Sequence, residues 1–592
     1  MKQFFKFMFA SFAGTILTII VIFLMFAGMI ASLVAMSGDK EVKLKEHSIL
    51  HISWDTEIKD RSSENPFEGF DFATMKSKKP IGLYEILKNI DKAAKDSRID
   101  GIFLDMESIP AGMATTEEIR NKLLEFKESG KFIISYANGY DQKAYYLASL
   151  ADEIYLNTEG SILFKGLQAQ LMFFKGMLDK LDIDIQIVRG PNNKYKSAVE
   201  PLMLEHVSKA NREQLEELLN SIWGKLITAI SENRGISIEE LTMIANKLEL
   251  STAEKALEYK FIDGAVYRDE VIAMLKEKTG IKEDEKLNLV SYGKYTSAKV
   301  KETEGLKRDK IAIVFAEGSI VQGEGDGTNI GSETTAEAIS KARTNEKVKA
   351  IVFRVNSGGG DALASEVIRR EVELASKDMP VIVSMGNLAA SGGYWISTSA
   401  DYIFAQPTTI TGSIGVFGII PNLEGFFNKK LGINVDNIMT NENSNFIDVM
   451  KPLSPYQHAK LDEVISKIYT DFTELVATSR HLDVTYVDSI AKGRVWSGVD
   501  ALELGLIDSF GGIEDAIAYA AEKAELGDSY RIVTYPQQKE FIEQLMEELT
   551  GQASKTIVKN ELGEYYKYYQ NIQTLKEMKG VQARLPFFME IN

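Results

Sequence analysis

Residues 380–401 read PVIVSMGNLAASGGYWISTSAD, and residues 131–152 read KFIISYANGYDQKAYYLASLAD. Each stretch opens on an apolar, β-branched run of strand type. It then crosses a short irregular passage and enters a helical pattern that ends on Ala-Asp. The two stretches lie 249 positions apart, and the same offset relates IDGIFL from 99 to VKAIVF from 348 and ADEIYL from 151 to ADYIFA from 400. The intervening helical patterns TTEEIRNKLLEF and ASEVIRREVELA keep that register. Further on, LDIDIQIVRG from 181 faces LGINVDNIMT from 431 with a slip of one position, and KALEYKFIDG (255–264) is echoed by DALELGLIDS (500–509). So long a self-match marks a duplicated unit.

Within each copy, short apolar runs alternate with amphipathic helical patterns, which predicts βα repeats and a largely parallel sheet. The expected fold class is therefore α/β, as two tandem domains. Their boundary falls near 295–308, in the polar stretch TSAKVKETEGLKRDK. Longer helical stretches are expected at 203–232 and 453–480. Beyond about residue 530 the pattern changes to polar helix with the Tyr-rich patch EYYKYYQN, read as a solvated or packing helix.

At 592 residues the chain exceeds one ordinary core, and 45% hydrophobic with 26% charged residues describes a folded protein. A formal net charge of −17 excludes nonspecific nucleic-acid binding, which needs clustered positive charge. There is no cysteine, which removes thiol proteases, disulfides and cysteine metal sites. Five histidines occur, none in an HExxH pattern, so no zinc site is expected, and no other metal or cofactor is implied.

From Met8 to Met36 the sequence carries no charge. A span of about 20 apolar residues crosses a bilayer, whereas a cleaved signal peptide has an apolar core of about 7–15. A retained transmembrane helix is expected. Lys2 and Lys6 precede it, but Lys40, Lys43 and Lys45 follow closely, so the positive-inside count leaves orientation open.

The two copies diverge at two places. Asn356-Ser357-Gly358-Gly359-Gly360 follows the first strand of the second copy, where the first copy has Glu107-Ser108-Ile109-Pro110-Ala111. Ala390-Ser391-Gly392-Gly393-Tyr394 stands where the first copy has Asp141-Gln142-Lys143-Ala144-Tyr145. Glycines after a strand let backbone N–H groups face a ligand, and such donors stabilise an oxyanion. A serine between strand and helix sits near the positive helix end. Taken singly, GGG is a flexible turn and Ala-Ser-Gly-Gly a helix cap. The Walker ending Gly-Lys-Ser/Thr is missing, which argues against a nucleotide loop. Both motifs in one copy, in register, point to Ser391 as a nucleophile. It needs a base. His458 and His481 are candidates in space, and lysine is the other type. Lys196, in KYKSAVEP after DIQIVRG, has no lysine counterpart around Asn445-Phe446-Ile447. A catalytic lysine must fall from about 10.4 toward about 7–8.

MGNLAASGGYWISTSADYIFAQPTTITGSIGVFG (385–418) closely resembles the active-site region of the signal peptide peptidase A (protease IV) family, and KYKSAVEPL (194–202) resembles the lysine motif of its two-repeat form. The resemblance extends through the anchor, both repeats and GRVWSGVDALELGLID (493–508). It implies tandem Clp/crotonase-like domains and a Ser–Lys dyad cleaving peptide bonds. Ser391 would be the nucleophile and Lys196 the base. Gly358, Gly359 and Gly392 would form the oxyanion hole, with Ser413 and Tyr394 in support. The family usually has Asn-Ser-Pro-Gly-Gly where this chain has Gly358 in place of the proline.

The division implied is an anchor at 1–37, a lysine-bearing repeat at 45–300, a serine-bearing repeat at 305–530 and an extension at 531–592. The expected protein is a single-pass enzyme of a bacterial cytoplasmic membrane with its catalytic domains on the periplasmic side. Expected partners are the membrane, remnants of signal peptides and three further copies in a homotetramer. The rival readings are a crotonase-type acyl-CoA enzyme and a membrane scaffold with a degenerate site.

Overall fold

A computed structural model of the chain describes residues 2–37, 44–63, 70–71, 76–77, 79–190, 193–299, 308–325, 328–537 and 580–585. The Tyr-rich patch EYYKYYQN and most of the boundary stretch near 295–308 lie outside them. At the N-terminus Lys2–Ser37 is one helix. Its apolar window Gln3–Ile22 has a mean hydropathy of 2.0 and none of it is buried, so by length and composition it suffices to cross a membrane.

The tandem α/β architecture read from the repeats is the one observed. In the first repeat an all-parallel sheet runs, in spatial order, Gly264–Ala265, Glu153–Leu156, Phe132–Ala137, Ile99–Asp105, Ser48–Ile52 and Leu289–Ser291. In the second, Ser509–Phe510, Tyr402–Ala405, Val381–Ala390, Val348–Ser357, Asp309–Glu317 and Tyr530–Tyr535 follow the same order, again parallel. Helices cover these strands, which is why their central residues, such as Ile102, Ile133, Val352 and Val383, are fully buried.

Duplication reaches individual hydrogen bonds. The Ala-Asp that closes each quoted stretch has one purpose: Asp152 accepts from the amide of Ile133 and Asp401 from that of Val381, each at 2.7 Å. Asp263 and Asp508 likewise each accept a strand amide, from Ile154 and Ile403, at 2.8 Å. Arg234 and Arg480 each donate to one of these carboxylates and to a loop carbonyl, of Lys260 and Gly505.

One matched pair departs from the expectation. Asp184–Val188 is a strand, but residues 432–439 are irregular and largely exposed. Asp184–Val188 pairs antiparallel with Phe417–Asn422 of the other repeat, Ile187 opposite Ile419. The stretch from 431 has no ladder partner among the described residues, and a strand without one leaves its backbone groups unsatisfied.

The repeats also meet through a buried ionic centre. Arg354, on the strand Val348–Ser357, is 1% exposed and donates to Asp60 at 2.9 Å, to Glu118 at 2.7 Å and to Ser384 at 2.8 Å. Glu118 also accepts the amide of Ile513, and burial pushes its carboxyl up to about 7 against the pull of Arg354. Asn387 adds a two-way bond to Thr115, and Glu117 accepts from Thr408. Removing one partner of such a centre leaves uncompensated buried charge. Arg354→Met should therefore cost about 3–5 kcal/mol of stability, seen as a lower urea midpoint.

Candidate active site

The second repeat has the longer strands. Val381–Ala390 has ten residues against six in Phe132–Ala137, and Val348–Ser357 has ten against seven in Ile99–Asp105. The additional length carries the two divergent motifs to one place. At the end of Val381–Ala390 the chain turns through Ser391 straight into the helix Gly392–Ser397. Ser391 holds φ 57° and ψ −114°, a conformation that side-chain-bearing residues avoid at a cost of about 1–3 kcal/mol. Two bonds hold it there: its N–H donates to Gly412 O at 2.8 Å, and its carbonyl accepts from Trp395 N at 2.8 Å. The turn projects Oγ inward.

The sister position is different. Gln142 has an ordinary backbone and its Oε1 accepts the amides of Lys165 and Gly166, at 3.1 and 2.9 Å, so the equivalent space in the first repeat is filled.

Lys196 comes from the first repeat, on the loop that follows Asp184–Val188. Pairing of that strand with Phe417–Asn422 carries it across to the second repeat. The loop is fixed from below by a buried amide network. Gln214 Nε2 donates to Tyr195 O and Ser197 Oγ, its Oε1 accepts from Val495 N, and Ser197 donates to Asn211. From above, Gly493 (φ +78°) lies so close that a Cβ there would stand 2.5 Å from Lys196 Cβ. Sequence reading did not single out Gly493 or Gln214. The only signal was Gly493 opening the stretch GRVWSG, and its need for glycine arises from a contact between repeats.

Lys196 Nζ lies 2.7 Å from Ser391 Oγ, 2.9 Å from Ser413 Oγ and 3.0 Å from Ser413 O. All three residues are fully buried. Among the described residues no carboxylate joins the cluster, and burial holds the amine well below the usual lysine range. Ser413 Oγ donates to Gly493 O at 3.4 Å, leaving its lone pairs for the lysine. A neutral amine that donates its two N–H groups to Ser413 O and Oγ keeps its lone pair for the Ser391 hydroxyl.

Gly359 (φ +94°) and Gly392 adjoin: a Cβ on Gly359 would stand 2.6 Å from Gly392 N. Gly358 lies one step away, its carbonyl accepting from Leu585 N. Tyr394 is close to Ser391 in sequence but turns from it. Its hydroxyl donates to Leu506 O at 2.8 Å, as Tyr145 donates to Phe261 O at 2.9 Å in the other repeat. A bond present in both copies belongs to the shared scaffold. His458 and His481 are exposed, and neither is hydrogen-bonded to Ser391. Among the described residues no group of acidic or histidine side chains has the arrangement of a metal site.

The profile of Peptidase family S49 matches residues 125–282 and 373–527. The chain is 35% identical over 520 residues to Protease 4 of Haemophilus influenzae, covering 85% of this chain and 83% of that one. It is 37% identical over 483 residues to Protease 4 of Salmonella typhi, covering 79% and 76%. To the chloroplastic serine protease SPPA of Arabidopsis thaliana it is 37% identical over 453 residues, covering 75% and 66%. The chain belongs to peptidase family S49. It is a serine peptidase, and the acyl-CoA and scaffold readings give way to that assignment.

Two expectations follow for this S49 peptidase. A lysine whose amine is depressed on folding binds fewer protons folded than unfolded, so its contribution to stability falls as pH drops from about 10.4 toward its folded value. The stability of Lys196→Met relative to the parent should therefore rise by about 1.4 kcal/mol per unit as pH falls through that window, measured by denaturant titration at several pH values. An unchanged difference would show that Lys196 titrates normally. Gly493→Ala should lower kcat at least about tenfold with the fold retained by circular dichroism, because the new methyl displaces Lys196.

Proposed function

We propose that this S49 serine peptidase works through a Ser391–Lys196 dyad. The observation that carries the reading is the 2.7 Å contact between a buried amine, with no counter-ion among the described residues, and a hydroxyl held on a strained turn. Neutral Lys196 takes the Ser391 proton as Oγ attacks the scissile carbonyl, and Ser413 orients the amine. The resulting ammonium protonates the leaving amine. Water, deprotonated by the same lysine, then hydrolyses the acyl-enzyme. For the oxyanion we assign the backbone N–H of Gly392, next to the nucleophile, and that of Gly359, which in the resting site donates to Ser357 Oγ at 3.1 Å, with Gly358 adjoining.

For substrate we propose apolar peptides such as signal peptides already cleaved from their proteins. The apolar N-terminal helix supports this, since it would tether the enzyme where such peptides are released. With it goes an orientation that puts both repeats on the periplasmic face of the cytoplasmic membrane, and assembly as a homotetramer.

The test is hydrolysis of a fluorogenic apolar peptide, with fluorophosphonate labelling of Ser391. Ser391→Ala and Lys196→Met should each lower kcat by at least about a thousandfold, and the parent alone should label efficiently. A Lys196→Met enzyme that kept its activity would refute the dyad.

A further inference from the structure

Ser357 is the one residue of the divergent loop 356–360 that both copies share, since Ser108 stands opposite it. Comparison of the copies therefore passes over it. The two serines are in opposite situations. Ser108 is exposed, and two residues on stands Pro110, which has no N–H. Ser357 is buried, and two residues on stands Gly359, whose N–H donates to Ser357 Oγ at 3.1 Å. The serine is enclosed only in the copy that offers it a donor.

The direction of that hydroxyl is fixed. Gly318 O lies 2.7 Å from Ser357 Oγ and can only accept, so the serine gives its hydrogen there. Only its lone pairs are left to face Gly359. Gly318 is held in turn: its N–H donates to Asn356 O at 3.1 Å, and a Cβ on it would stand 2.4 Å from Thr328 O. The other oxyanion glycine rests on the same residue. A Cβ on Gly393, next to Gly392, would stand 2.4 Å from Ser357 O, so the first turn of the helix Gly392–Ser397 is seated against Ser357.

A buried N–H without an acceptor is costly, and a glycine peptide meets little steric resistance to turning away in search of one. An oxyanion hole faces that difficulty whenever no oxyanion is in it. A neutral hydroxyl is a suitable partner for the interval. It satisfies the donor, yet it is outcompeted by an ionised acceptor, whose hydrogen bonds are roughly twice as strong. We propose that Ser357 is a positioning residue of the oxyanion hole: its hydroxyl is the resting acceptor that keeps the Gly359 N–H beside Gly392 and yields it to the oxyanion as the tetrahedral intermediate forms. The proposal rests on the dyad and oxyanion assignments given above.

The test compares the full-length chain with Ser357→Ala, which removes the acceptor, and with Ser357→Cys, which leaves a weak one. With the fluorogenic apolar peptide, kcat should fall about ten- to a hundredfold in both while KM stays within about twofold. An apolar peptide aldehyde, which bonds its carbonyl carbon to Ser391 Oγ and leaves its oxygen in the oxyanion position, should lose affinity by the same factor. The acid limb of kcat/KM reports Lys196 in the free enzyme, and it should not move. A hydroxyl that merely closed the turn would leave aldehyde affinity as it is. Equal aldehyde affinity, or a kcat unchanged or raised, would overturn the role of Ser357. So would a displaced acid limb, which puts the damage at Lys196 instead. Should Ser357→Ala lose its fold by circular dichroism, Ser357→Cys decides by the same measurements. An aldehyde that does not inhibit even the parent refutes the dyad, and this proposal with it.

Discussion

Everything at the site depends on one amine kept out of water. Among the described residues Lys196 is buried without a carboxylate beside it, and its hydrogen-bond partners there are two serines. Burying an ammonium in such a place is costly, so the group sheds its proton instead. Arg354, the other fully buried basic side chain among the described residues, is treated the opposite way: Asp60 and Glu118 flank it. Arginine stays charged in proteins and must be paired, whereas lysine yields its proton readily when desolvated. The arginine can therefore lock the repeats together while the lysine gives up its charge.

Dry surroundings for Lys196 require both halves of the chain. The strand Asp184–Val188 leaves its own repeat, pairs with Phe417–Asn422 and brings the lysine loop under Gly493 and Ser413. The ionic centre at Arg354 fixes how the halves dock. A site divided in this way exists only in the assembled tandem, and a small error in docking would open the amine to water and restore its charge.

The first repeat shows what the scaffold is without the site. It keeps the capping aspartates, the arginine–aspartate pairs and the tyrosine-to-carbonyl bond of the second repeat. It lacks the strained turn, and Gln142 fills the corresponding space. Its contribution to the buried cluster is a single lysine and the wall beneath it. The second repeat supplies longer strands, the paired glycines and an open edge, and it is on that edge that Gly580–Arg584 lies.

By itself the sequence determined the α/β class, the duplication and the apolar N-terminal helix, and it singled out Ser391 as a candidate, because periodicity and repeat register are local patterns and the copies can be compared position by position. Lys196 was legible there mainly through its surrounding motif. Only the tertiary structure decided that its amine is buried beside Ser391, that Ser413 accepts from it and that Gly493 must lack a side chain. It also turned Tyr394 into scaffold, left 432–439 without a strand partner among the described residues, and set Gly580–Arg584 between Gly359–Asp361 and Phe417–Ile419. Each of these depends on which distant segment meets which, and desolvation, close approach and strand pairing are properties of those meetings, not of any one stretch of residues.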